Sequence, residues 1–241
     1  MKLDNAVVLV TGANRGLGRA LVTATLAAGA KRVYAGARDP GQLRDLVADA
    51  PDRIVPLQID ITSAGSLAAA AAAAGDVTVL VNNAGVLAAY GVLTSTPAQL
   101  EADFATNFFG TLAATRAFLP ALERAPRAAI VNVLSVASLA NVPALGGYSA
   151  AKAASFSATQ ALRVDLAAKN VAVHAVFPGP IDTDMVRGMP MAKTSPEDVA
   201  RAIVEGVEAG LEEILPDPAS RQMFDVWKRD PKALERQLAT M

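Results

Sequence analysis

Tyr148 and Lys152 stand four residues apart in "YSAAK", at the end of a stretch from Ala128 to Ala151 that carries no charge. In a helix, residues at that spacing share a face, so a phenol and an ammonium address the same small volume. A free phenol titrates near ~10 and exchanges protons poorly at neutral pH, whereas an adjacent cation favours the phenolate. The pair therefore has the makings of a tuned general acid and base. Spacing alone does not establish this, because a Tyr-x-x-x-Lys pair on an ordinary helix surface reads the same way.

A second chemical signal lies near the start of the chain. "TGANRGLG", Thr11 to Gly18, follows an apolar run and opens a helical segment. Gly12, Gly16 and Gly18 allow tight turning and close backbone approach, and the N–H groups of a helix start attract a pyrophosphate. Asn14, Arg15 and Leu17 belong to the same turn. A dinucleotide fold that selects NAD places an acid about 20 residues further on to bind the ribose 2′-hydroxyl. Here Ala37 holds that place and Arg38 follows, a guanidinium suited to a 2′-phosphate, with Arg15 a second cation on the same side. Asp39 works against this reading, since it could neutralise Arg38 or bind a hydroxyl itself. The balance favours NADP(H) over NAD(H), with solvated surface arginines as the alternative.

These residues need elements to hold them. Continuous apolar runs, "AVVLV", "RVYAG", "IVPLQI", "VTVLV", "AIVNVL" and "VAVHAVF", alternate with longer helical segments through most of the chain. Continuous rather than alternating hydrophobicity marks strands buried on both faces. Strict alternation of strand and helix predicts an α/β fold, doubly wound, with a parallel sheet flanked by helices on both faces. The alanine run from Ala68 reads as one of those helices. We expect a single domain over 1–241, with 216–241 an appendage of loop and short polar helices. His174 lies mid-strand between apolar residues and reads as structural.

Composition limits the alternatives. At 241 residues, with 52% hydrophobic and 19% charged residues, the chain can bury a large core. A net charge of −1 offers no field for nucleic acid or an anionic membrane. No cysteine and a single histidine exclude thiolate chemistry, disulfides and Cys- or His-based metal clusters, and no metal site is expected. The first apolar run is too short for a signal peptide, and the uncharged stretch from Ala128 is broken by Asn132, Ser135, Asn141 and Pro143. The expectation is a soluble cytoplasmic protein with no membrane or nucleic-acid partner.

With these motifs in place, the sequence resembles the short-chain dehydrogenase/reductase superfamily in its common single-domain, Rossmann-type form, from Asn5 to about Pro216. Thr11-Gly12, Gly16 and Gly18 fit its TGxxxGxG turn, and "NNAG", Asn82 to Gly85, its motif after the fourth strand. Asn107 fits the asparagine of the long following helix, Ser135 the serine 13 residues before the tyrosine, and "YSAAK" the YxxxK pair. "PGPIDT", Pro178 to Thr183, fits the stretch after the sixth strand.

The resemblance implies an NADP(H)-dependent oxidoreductase that interconverts a ketone or aldehyde and an alcohol by hydride transfer. Tyr148 would exchange the proton with the substrate oxygen, and Ser135 would hydrogen-bond that oxygen. Lys152 would bind the nicotinamide ribose and lower the tyrosine pKa, while Asn107 would hold a water linking Lys152 to solvent. The resemblance further implies that Asp60 with Ile61 would meet the adenine, and that Asn83, Ala84 and Gly85 would line its ribose. Pro178, Gly179, Ile181 and Thr183 would contact carboxamide and phosphates. Asn107 could instead bond within its helix, Asp60 could cap the helix starting near Ser63, and Ser138 could replace Ser135.

The loop after the PG motif is short for the family: only "DMVRGMPMAK" separates Thr183 from the helix signal "TSPEDVA". Met185, Met189 and Met191 would give an open site an adaptable apolar wall, with Tyr90 on the loop "VLAAYGVL", Val86 to Leu93. An apolar or aromatic carbonyl is the expected small-molecule substrate, and a homodimer or homotetramer through the two long helices the expected assembly. Two other readings stay open: a catalytically silent NADP-binding sensor or scaffold, and a reductase of a C=C or C=N bond.

Overall fold

The computed structural model describes residues 1–188 and 190–240. Seven strands among these residues form one sheet: β1 (Val7–Thr11), β2 (Arg32–Ala37), β3 (Ile54–Gln58), β4 (Val79–Asn82), β5 (Ala128–Val133), β6 (Val171–Val176) and β7 (Glu213–Ile214). All pairings are parallel, in the order β3-β2-β1-β4-β5-β6-β7. Six strands coincide with the apolar runs of the sequence. β7 is two residues long, too short to show as a run.

Parallel strands need crossover connections, and these supply the helices. They are α1 (Gly16–Ala27), α2 (Arg44–Asp49), α3 (Ala64–Ala73), α4 (Pro97–Phe104), α5 (Thr111–Arg124), α6 (Gly146–Leu166) and α7 (Pro196–Ala209). Period-two alternation divides each strand between two cores. Val8 and Val10 of β1 face one layer with Leu21 of α1 and Ile203 of α7. Leu9 faces the other, with Leu67 of α3 and Phe118 of α5. The sheet is thus covered on both faces, as the doubly wound reading requires. His174 of β6 is 2% exposed, and its Nδ1 bonds the Leu211 carbonyl at 2.6 Å. Burial lowers its pKa.

The segment after Pro216 differs from the loop and short polar helices expected of it. Asp217 caps α8 (Pro218–Arg229) and Asp230 caps α9 (Pro231–Leu238), each side chain accepting a backbone N–H of its helix. Their outward faces are polar, which is what the composition registers. Met223, Leu234 and Leu238 are buried in a third cluster with Leu134, Val136 and Phe177. Phe177 also stacks edge-on to Phe156 of α6, with ring centroids 4.9 Å apart.

Order reverses across the β1–β4 pair: from β1 the chain builds outward to β3, then returns to β4 on the other side. In an open α/β sheet that reversal leaves a crevice at the carboxyl ends of the strands, where ligands bind. The layer that supports it is tightly filled, with Phe118 fully buried among Leu80, Ile130 and Leu122. Phe118→Ala should therefore cost about 3–5 kcal/mol, read as a loss of unfolding free energy in denaturant titration.

Candidate active site

The turn after β1 is shaped by its neighbours. Gly12 has φ +67°, and a methyl group there would come 2.9 Å from the Cα of Ala84. Gly16 has φ +51° and packs on the Thr183 side chain. The N-cap of α1, Arg15, makes no side-chain capping bond, which leaves the first N–H groups of the helix for another acceptor. Thr11 ties this turn to the strand across the reversal. Its hydroxyl accepts from the N–H groups of Asn83 and Ala84, both at 3.0 Å, and lies 3.3 Å from the Val81 carbonyl. Asn83 uses its own amide on the carbonyls of Thr11 (2.9 Å) and Gly12 (3.2 Å). It serves as a strut of the turn.

At the end of β2, Arg38 is exposed and makes no ion pair among the described residues. Asp39, which could have neutralised it, accepts from the Gly41 N–H at 2.8 Å and caps the 3-10 turn Pro40–Leu43. Arg15 is paired with Asp184 at 3.2 Å, both exposed, and Asn14 bonds Gln42 at 2.7 Å. Leu17 is buried in the core. Asp60 does not cap α3, a task Ser63 performs. Its carboxylate accepts from the Thr62 N–H (2.9 Å) and hydroxyl (2.7 Å), which hold its pKa below the ordinary value. Ile61 is buried against Gly110.

β4, β5 and α6 bring the reactive groups together. The chain between α4 and α5 widens into a π-helical turn, Ala105–Gly110, a feature common at functional sites. It carries Asn107, whose amide donates to the Val86 carbonyl at 2.9 Å and accepts the Val86 N–H at 3.2 Å. Asn107 therefore bonds the loop after β4 and not its own helix. Gly85 is where three groups converge: a methyl there would meet Asn107 Oδ1 at 2.9 Å, Lys152 Nζ at 3.7 Å and the Asn83 carbonyl at 3.9 Å. Ala84, beside it, closes against Gly12.

Ser135 follows β5 by two residues and caps the 3-10 turn Val136–Ser138, its hydroxyl accepting from Ala137 N–H at 3.1 Å. Ser138 turns to Ser135 itself, its hydroxyl accepting the Ser135 N–H at 3.2 Å inside a capping box. Tyr148 lies in the first turn of α6 and stays partly exposed, within reach of a small molecule. Packed on most sides, it has its pKa pushed up to about 12, first by desolvation and further by the Asp103 carboxylate, with the Ser135 hydroxyl pulling the other way. Lys152 is 5% exposed; its Nζ donates to the Val133 carbonyl at 2.8 Å and sits 5.7 Å from the Tyr148 ring centroid. Burial lowers its pKa to about 8. Desolvation is the largest influence on the pKa of both groups.

Tyr90 is 57% exposed and its carbonyl accepts the Gly147 N–H at 3.4 Å, so its loop borders the start of α6. Met185 is 43% exposed in the 3-10 turn Asp184–Val186, and Met189 lies outside the described residues. Beyond β6, Pro178 accepts the Val136 N–H at 3.1 Å and Gly179 donates to Asp217 at 2.8 Å. Ile181 bridges Thr194, and Thr183 lies against Gly16. Sequence reading missed Asp103, fully buried on α4 and bonded to Ala88 and Ala89. It also missed the buried chain Thr115–Asn82–Asn132–Thr159 that ties β4 and β5 to α5 and α6. Asn82 and Asn132 interrupt two apolar strand runs at paired positions, and that was the available signal.

The family model for short chain dehydrogenase matches residues 6–193. The chain is 36% identical over 199 residues to "Short chain dehydrogenase pigC" of Monascus ruber, covering 77% of this chain and 66% of that protein. It spans less than half of another fungal relative, at 44% of its length. A crystal structure of a short chain dehydrogenase from Burkholderia cenocepacia in complex with NADP superposes with a TM-score of 0.92 at 39% identity, covering 99% of both chains. A short chain dehydrogenase/reductase from Burkholderia phymatum in complex with NAD gives 0.85 at 25% identity, covering 98% of this chain and 96% of that one. The chain belongs to the short chain dehydrogenase family.

Keeping an ammonium buried at position 152 has a stability cost that varies with pH. The folded pKa of about 8 lies below the unfolded value of 10.5. The unfolded chain therefore binds the extra proton between these values, and the cost is full below about 8 and fades as pH rises toward 10.5. Lys152→Met should raise the thermal midpoint at pH 7, by about 1–3 kcal/mol in unfolding free energy, and the gain should shrink when melting is repeated at alkaline pH.

Proposed function

We propose that this protein interconverts a ketone or aldehyde and the corresponding alcohol with NADP(H) as hydride carrier, Tyr148 acting as general acid and base. The observation that carries the reading is the convergence of Asn107, Ser135, Tyr148 and Lys152 beside the glycine turn, at the carboxyl ends of β1, β4 and β5. The turn fits a dinucleotide: Gly12 and Gly16 with positive φ, an uncapped helix start and a crevice at the strand reversal. A bound nicotinamide would supply the hydride in reduction and accept it in oxidation.

The protein's own groups divide the remaining work. Ser135 would donate to the substrate oxygen and hold it beside the phenol. Tyr148, with its pKa raised, is protonated at neutral pH and would give its proton to that oxygen as negative charge grows there. Lys152 would hold ribose hydroxyls of the cofactor, and Asn107 would anchor the water path that returns a proton to the site. Asp60, Gly85, Ile181 and Thr183 would flank the adenine, ribose and nicotinamide ends.

Preference for NADP(H) is supported by Arg38, exposed at the end of β2 while Asp39 is turned to its own 3-10 turn. Tyr90 and Met185 expose apolar surface at the rim, which supports an apolar or aromatic substrate. Leu112, Leu119 and Leu162 line a groove between α5 and α6, a face suited to a homodimer or homotetramer. No helix among the described residues is long and apolar enough to cross a membrane, in keeping with a cytoplasmic enzyme. Residues 1–241 are read as one domain, with α8 and α9 packed on it.

A silent NADP-binding scaffold would use the same turn and predicts no turnover. Tyr148→Phe separates the two: in a panel of aromatic and aliphatic carbonyls reduced with NADPH, kcat should fall by about 10²–10⁴-fold while NADPH affinity stays within a few-fold. Turnover by wild-type protein on no member of the panel would favour the scaffold. Asp184→Asn should release Arg15 and tighten NADPH binding up to about five-fold, with NADH binding unmoved, as read by calorimetry.

A further inference from the structure

Asp103 has no exposed surface, and its two carboxylate oxygens accept the N–H groups of Ala88 (2.9 Å) and Ala89 (3.0 Å). None of the ion pairs among the described residues includes it. A carboxylate in such surroundings is costly, and two amide bonds compensate only part of the desolvation. As an anchor for the loop after β4 the carboxylate supplies an acceptor oxygen to each N–H, and it also places a formal charge where no ion-pair partner stands among the described residues.

Its position accounts for the charge. A methyl group at Gly147 would stand 3.3 Å from Asp103 Oδ2, so the bare backbone of Gly147 lets α4 close on α6 one residue before Tyr148. Lys152, one turn further along α6, is buried with a single hydrogen bond, to the Val133 carbonyl. The elements packed around the phenol bring few charges to it. α4 contributes Asp103 and α6 contributes Lys152. The turn after β5 brings the uncharged Ser135, and the loop after β4 brings the backbone of Ala88 and Ala89. One buried carboxylate, against Gly147, and one buried ammonium, at Lys152, therefore flank Tyr148 along α6.

We propose that Asp103 is a positioning residue that sets the charge of the reaction site: clamped by Ala88 and Ala89 where α4 meets α6, it opposes a negative charge on Tyr148 and supports a positive one on Lys152. The resting site is then a neutral phenol beside an ammonium, charged for proton donation to a carbonyl oxygen. The same carboxylate raises the proton affinity of both groups. This rests on Tyr148 being the general acid.

The chain has three tyrosines, Tyr34, Tyr90 and Tyr148, so protein labelled at tyrosine Cζ gives one NMR resonance for each, and Tyr148→Phe assigns the last. In Asp103→Asn and Asp103→Ser, with folding checked by circular dichroism, the Tyr148 resonance should begin to titrate about one pH unit lower than in wild type. Tyr34, on β2 with its hydroxyl bonded to Asp76, should not move, and Asp103→Glu should restore the wild-type onset. An unmoved Tyr148 titration in either folded neutral variant overturns the proposal, and so does failure of both to fold, which would leave Asp103 a loop anchor only. The two readings fail separately. Retained turnover in Tyr148→Phe would refute the proposed function, whereas lost turnover with an unmoved titration would refute only the role of Asp103.

Discussion

A single hydroxyl ties the loops after β1 and β4 together where the two halves of the sheet meet. Thr11 bonds the backbone of Val81, Asn83 and Ala84, and Asn83 returns two bonds to Thr11 and Gly12. Strand order reverses here, so the loops after β1 and β4 diverge to opposite faces and would leave their backbone groups unpaired. Binding them to each other satisfies those groups and fixes the crevice. The glycine turn, Gly85 and the reactive pair all lie around this joint.

Reactivity is then a matter of burying charge beside it. Lys152 and Asp103 are taken out of water within the same few residues, and Tyr148 is desolvated with them. Each burial is unfavourable by itself. The layers of Val, Leu and Ile on both faces of the sheet supply the stability that offsets it. The π-helical turn shows the same compromise: one widened turn re-aims Asn107 at Val86, while its carbonyl accepts the Ser155 hydroxyl at 2.7 Å from α6. A site of this kind is held by the fold around it, at a cost that an apolar substitute would not carry.

Much of this was legible in the residues. Continuous apolar runs marked six strands, because strands buried on both faces carry no polar alternation. The seventh was two residues long and had no pattern to show. Ser135 could be separated from Ser138 by spacing, and the structure explains why: the second serine caps the first. Other features depend on distant partners that sequence does not reveal. Asp103 looks like any helical acid until Gly147 brings α6 against it, and Asp39 looks like a rival of Arg38 until Gly41 claims its carboxylate. The elevated phenol pKa is likewise a product of packing, invisible in the four-residue spacing that first drew attention to the pair. The apolar faces of α8 and α9 were hidden by short helices rich in charge.

The central claim is that the crevice beside Thr11 receives a nicotinamide dinucleotide bearing a 2′-phosphate. Isothermal titration of the purified protein with NADPH and, separately, with NADH tests it most directly. Binding of both, clearly tighter for NADPH, is the result this account predicts. Binding of neither would contradict it, since the glycine turn, the uncapped helix start and the strand reversal would then be architecture without a ligand.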